Sequence, residues 1–146
     1  MWPDRCAAPK DSADTVRARF HRWYRFIRGS QSRHERGALG FGYRELIYAA
    51  ALERDLRAKG HHVDREVPVM VYFRGEPLAR QVFDMIVDKK VLVEVRSTEA
   101  LRQDVTRQLF SYLCSTILEV GLLLHFGREA KFYRVLYENR FKRFSQ

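Results

Sequence analysis

Apolar positions along the chain follow two periods. From about Asp14, Val16, Phe20, Trp23, Tyr24 and Ile27 recur at helical spacing, while Arg17, Arg19, Arg22, Arg25 and Arg28 take the opposite face. This predicts a basic amphipathic helix over 13–28, preceded by a flexible lead, 1–12, that carries Pro3, Pro9 and no period. Gly29 to Gly42 holds four of the chain's eight glycines and reads as a loop. A second helix is expected from Tyr43 to Lys59, stopped by Gly60.

The period then changes to two. Extended segments are expected at Val63 to Phe73, Pro77 to Val87 and Val91 to Ser97, separated by Arg74-Gly75-Glu76 and Asp88-Lys89-Lys90 at hairpin lengths. VLVEV is apolar on both faces, which marks a central strand. A helix over Leu101 to Ile117 follows, then a buried strand, Val120 to Phe126, and an alternating edge strand, Lys131 to Tyr137. A helix crossing between buried strands implies an α/β sandwich with a mixed central sheet of about five strands flanked by helices. The expected organisation is one domain over 13–146, with its core at 39–137 and a basic, frayed tail at 138–146.

Charge adds a candidate partner. A chain of 146 residues suffices for one core, and its formal net charge is +9, mostly from arginine. An arginine-rich excess favours a polyanion, although a basic surface also serves solubility, and the amphipathic helix fits equally a face docked on its own domain. Cys6 and Cys114 give no disulfide framework, and no apolar run is long enough to span a membrane. The expectation is a soluble cytoplasmic protein with no membrane partner; a homodimer or a protein partner stays open.

Candidate chemistry centres on acids in apolar surroundings. Glu94 sits inside VLVEVR, where a carboxylate is costly to bury unless a cation or donors meet it. Arg96 is two residues on and so shares its face. Asp84, within VFDMIV, can approach Glu94 through the antiparallel turn, and two such charges call for a divalent cation or a shared proton. Glu45 stands in the first turn of its helix on the stripe of Tyr48, Leu52 and Leu56, either as a third acid or simply as a dipole-favoured glutamate. Gln108 and Tyr112 share the stripe of Val105 and Leu109; a glutamine there is either functional or a core-edge amide bonded to backbone.

The run Gly42-Tyr43-Arg44-Glu45-Leu46-Ile47-Tyr48 matches the signature of the GxxExxY proteins, a bacterial group that resembles the PD-(D/E)XK nuclease superfamily. The likeness continues through Phe83-Asp84, Val91 to Arg96, Gln108 to Tyr112 and Leu122 to Gly127, and covers about Leu39 to Val135. It implies a restriction-endonuclease-like fold, catalytic Asp84, Glu94, Arg96 and Glu45, and a Mg²⁺ or Mn²⁺ ion held by Asp84, Glu94 and Glu45. It further implies Gln108, Tyr112 and Tyr48 as residues that meet substrate. One departure stands out, since the family's E-x-K lysine is Arg96 here; arginine supplies charge and hydrogen bonds but stays protonated and cannot act as a base. Two functions follow: a Mg²⁺-dependent nuclease cutting DNA or RNA, or a nuclease-like module that binds nucleic acid or a partner without cutting.

Overall fold

The structure is a computed structural model and describes residues 39–40 and 42–142. The expected helix at 13–28, the lead at 1–12 and the end of the tail lie outside the described residues. One compact unit begins at Gly42.

Its first element is helix α1 (Glu45–Ala58), which buries Tyr48, Ala49, Leu52 and Leu56. The helix ends because Gly60 turns left-handed at φ +85°. His61 N–H then reaches back to Leu56 O and Gly60 N–H to Arg57 O, the paired bonds of a Schellman cap. Strands β1 (Val63–Phe73), β2 (Glu76–Val87) and β3 (Val91–Arg96) follow as an antiparallel meander. Helix α2 (Asp104–Cys114) crosses over to β4 (Val120–Phe126), which pairs parallel with β3, and β5 (Ala130–Leu136) closes the sheet antiparallel to β4. The five strands lie in chain order, so β3 is the central strand with β4 beside it, and Glu94, His125 and the apolar residues around them are buried.

The core on the α2 side gathers Phe83, Leu92, Leu109, Tyr112, Leu113, Leu118 and Leu123. Gly121 lets α2 approach this closely, since a Cβ there would come within 3.0 Å of Leu109. On α1, Tyr48 stacks flat on Phe126 of β4, with ring centroids 4.1 Å apart.

Two expectations change. α2 spans Asp104–Cys114 rather than 101–117. Ser115 and Thr116 divert the chain at its end: Ser115 Oγ donates to Tyr112 O, and Thr116 Oγ1 accepts from Leu118 N–H, so side chains replace the next helical bonds. The start of the tail is not frayed. Asn139–Phe141 forms a turn of 3₁₀ helix, and the Lys142 ammonium is buried against the carbonyls of Thr116 and Leu118.

Candidate active site

The site forms where β2 and β3 part. Their ladder runs only through Val87–Val91, Ile86–Leu92 and Met85–Val93. Beyond Met85 the next residue of β2 is Asp84, and its side chain takes over the role of the ladder: Oδ2 accepts the Val95 N–H at 2.8 Å.

A defect in the sheet turns Asp84 to this task. Arg65 pairs with Met85 and Val67 with Phe83, so Glu66 stands opposite Asp84, and Glu66 is left-handed at φ 51°. A positive φ at a residue other than glycine is strained and interrupts regular pairing. Asp84's carbonyl accepts instead from Arg65 Nε at 3.1 Å. Arg65 in turn contacts Glu53 of α1 at 3.0 Å, and Glu53 pairs with Arg57. The alternation of β2 slips at the same place, for Phe83 and Ile86 both face the α2 core although strict alternation would oppose them. Neither Arg65 nor Glu53 carried a signal in the sequence, because their role depends on this slip.

Three acids converge on one guanidinium. Arg96 Nη2 lies 3.1 Å from Glu94 Oε2, and Nη1 lies 3.6 Å from Asp84 Oδ2 and 4.0 Å from Glu45 Oε2. Nη1 also donates to Val95 O. Glu45, at the first turn of α1, is tied to the same place because its Oε1 accepts the Ser97 N–H at 3.1 Å, while Ser97 Oγ donates to Tyr43 O.

Glu94 is the most confined of the acids, its side chain only 5% exposed. Burial, and then the charge of Asp84, push its carboxyl up to about 8, against a smaller opposing pull from Arg96. Its Oε1 is buried without a hydrogen-bond partner. Tyr112 sits beside this carboxyl: burial and then Glu94 raise its hydroxyl above the ordinary value. Its ring packs on Phe83 at 4.7 Å. Gln108 Nε2 donates to the Tyr112 hydroxyl at 2.7 Å, and that hydroxyl points to Gln81 Oε1 at 3.5 Å. Gln81 was missed in the sequence, where it stands between Arg80 and Val82 with nothing to mark it.

Some expected placements need correction. Gln108 is exposed rather than on a buried stripe; it reaches the site through Tyr112 from the rim of α2. Tyr48 has 0% exposure, so it cannot touch a substrate from where it lies; its hydroxyl accepts the Tyr43 N–H and its ring braces Phe126. Among the described residues no group of three or more His, Cys, Asp or Glu side chains is arranged to hold a metal ion. The expected three-acid cage is not found among them; the three carboxylates instead converge on the Arg96 guanidinium, with Glu45 the most distant at 4.0 Å. In kind, the pair Asp84 and Glu94 fits a hard divalent cation: both offer carboxylate oxygens, and Glu94 Oε1 is a buried acceptor with nothing to accept.

Residues 34–135 match the family model of the PD-(D/E)XK nuclease superfamily. This chain belongs to that superfamily. It is also similar to the crystal structure of SSO0001, with a TM-score of 0.52 and 19% identity over 84% of this chain. The chain spans 62% of that structure's length. At this identity the likeness supports the restriction-endonuclease-like fold alone. No curated protein matches the chain. Among the described residues no helix is long and apolar enough to cross a membrane.

Proposed function

We propose that this superfamily member, of the GxxExxY kind, is a Mg²⁺- or Mn²⁺-dependent phosphodiesterase that acts on nucleic acid, DNA before RNA, at Asp84, Glu94 and Arg96. The observation that carries the reading is Glu94, a buried carboxyl with an orphaned oxygen, set beside a second acid and a guanidinium where two strands separate. Perturbed acids with specific charge partners are a mark of working sites.

Asp84 and Glu94 would hold the cation. Bound there, it would polarise a phosphoryl oxygen and lower the pKa of a water. Near neutral pH the metal-free Glu94 carboxyl keeps its proton, so taking up the ion would release that proton. Arg96 matches two phosphate oxygens with its planar fork and steadies the charge that gathers there, but it takes no proton from water. Glu45 orients Arg96 and the Ser97 backbone, and Tyr112, held between Gln108 and Gln81, shapes the wall that a phosphodiester would meet.

The test is a Mg²⁺ and Mn²⁺ titration of DNA cleavage by wild type, Glu94→Gln and Asp84→Asn. Loss of at least about 100-fold in both variants, corresponding to roughly 2.7 kcal/mol in the barrier, supports the reading. Cleavage that survives in both variants removes it.

A second reading, a nuclease-fold module that binds nucleic acid or a partner without cutting, is favoured by the Arg96 contacts themselves, since a guanidinium already balances the acids. Binding of DNA with no cleavage at any metal concentration selects it. Gain of cleavage in Arg96→Lys would show that arginine is what silences the site.

A further inference from the structure

We infer that Arg96 makes the divalent cation and the nucleic-acid phosphate bind cooperatively, because its guanidinium occupies the carboxylates when the site is empty of both and leaves them when a phosphodiester arrives. This deepens the proposed function and rests on it.

The argument starts from where the donors of Arg96 point. Nη2 is spent on Glu94 Oε2, and Nη1 is shared among Asp84 Oδ2, Glu45 Oε2 and Val95 O, at 2.9–4.0 Å. A guanidinium stays charged at any working pH, so it cannot clear the site by losing a proton. A divalent ion approaching Asp84 and Glu94 therefore meets a fixed positive charge within van der Waals reach of the oxygens it needs. Metal alone binds against that charge.

A phosphodiester changes the balance. Two non-bridging oxygens fit the guanidinium fork in a bidentate pair, whereas here each carboxylate receives one oblique contact, and Glu45 none closer than 4.0 Å. The Arg96 side chain is only 23% exposed, so a phosphate that engages it must come into the cleft itself. Once Arg96 turns to the phosphate, Asp84 Oδ2 and Glu94 Oε2 regain acceptor capacity next to the already orphaned Glu94 Oε1. The ion then finds Asp84 and Glu94 cleared of the guanidinium. By linkage, the factor by which phosphate improves metal affinity is the factor by which metal improves phosphate affinity.

Direct ligation of the ion by phosphate would also couple the two ligands, and it is separated by removing the guanidinium. The experiment is calorimetric titration of Mn²⁺ into wild type, Arg96→Met and Arg96→Lys, each with and without a saturating, cleavage-resistant phosphorothioate duplex, with thermal melts to verify folding. The inference expects weak Mn²⁺ binding by wild type alone, tightened at least tenfold by the duplex. It expects Arg96→Met to bind Mn²⁺ alone at least tenfold more tightly than wild type, with the duplex then changing its affinity less than about threefold. Arg96→Lys, which keeps a positive charge and the pairing that supports the fold, should fall between them in both respects and carries the test if Arg96→Met does not fold.

Wild type binding Mn²⁺ alone as tightly as the folded variants overturns the inference, as does coupling that persists undiminished in Arg96→Met; both leave the proposed function standing. Failure of all three proteins to bind Mn²⁺ with the duplex present overturns the proposed function and the inference with it.

Discussion

Replacing Glu94 by Gln should make the metal-free protein more stable at alkaline pH and leave it almost unchanged at pH 5. In the folded chain the Glu94 carboxyl is raised from its ordinary 4.5 to about 8, by burial first and by Asp84 second. Between those values the folded state binds more protons than the unfolded one, so stability is full below about pH 4.5, falls as pH rises, and levels off past about pH 8. At about 1.4 kcal/mol per unit, the interval has a ceiling of roughly 5 kcal/mol, and relaxation around the new charge reduces this to about 3 kcal/mol. For a chain of this size that is a fall in Tm of about 10 °C between pH 5 and pH 9. Glutamine keeps the shape and a polar head but has no proton to lose, so its curve lacks that fall. Differential scanning fluorimetry in EDTA across pH 5–9, with urea melts at both ends, reads the difference directly. Parallel curves for the two proteins, or a variant less stable than wild type at pH 9, would refute the placement of a neutral carboxyl at this position.

Three further outcomes are expected. Gly127→Ala should destabilise by about 1–3 kcal/mol in urea unfolding, because its Cβ would lie 2.6 Å from His125 Cε1 and 2.9 Å from Thr98 O, and a backbone oxygen cannot swing aside. Lys142→Met should cost about 1–3 kcal/mol in the same assay, since it strips the buried carbonyls of Thr116 and Leu118 of their donor; an unchanged midpoint would show that water replaces the ammonium. Binding of a DNA duplex, measured by fluorescence anisotropy, should weaken steeply with salt, by roughly 10³ between 50 and 200 mM if six phosphates are engaged, whereas affinity retained at about 0.5 M would point to an apolar protein partner or a second copy.

The elements were legible in the sequence because each has a local signature. The hairpin turns at Arg74-Gly75 and Asp88-Lys89 fall where the chain goes left-handed, and Gly60 ends α1 in the manner its position suggests. Acids among apolar residues pointed to Asp84 and Glu94 for the same reason: burying charge is costly enough to be noticed. What was not legible depends on register between distant segments. The strained Glu66 opposite Asp84, the Arg65 link to Asp84's carbonyl and the Gln81 oxygen near Tyr112 exist only once β1, β2 and α2 are in place. Periodicity also misjudged depth. It put Gln108 on a buried stripe although it lies at the rim; the resemblance made Tyr48 a residue that meets substrate although it is fully buried against Phe126; and the tail expected to be frayed holds Lys142 on two carbonyls 24 and 26 residues upstream in sequence.

Asp84, Glu94 and Arg96 all lie on the consecutive strands β2 and β3, joined by one tight turn. Closing that hairpin brings Asp84, Glu94 and their counter-charge into one neighbourhood, and β1 and α1 then set Asp84 and Glu45 on Arg96. Hairpins form in microseconds, whereas parallel pairing such as β3 with β4 waits on a longer loop. The counter-charge of the site thus comes from within the chain. A newly made molecule need not capture an ion in order to reach its native state, and refolding should proceed at the same rate in chelator as in magnesium.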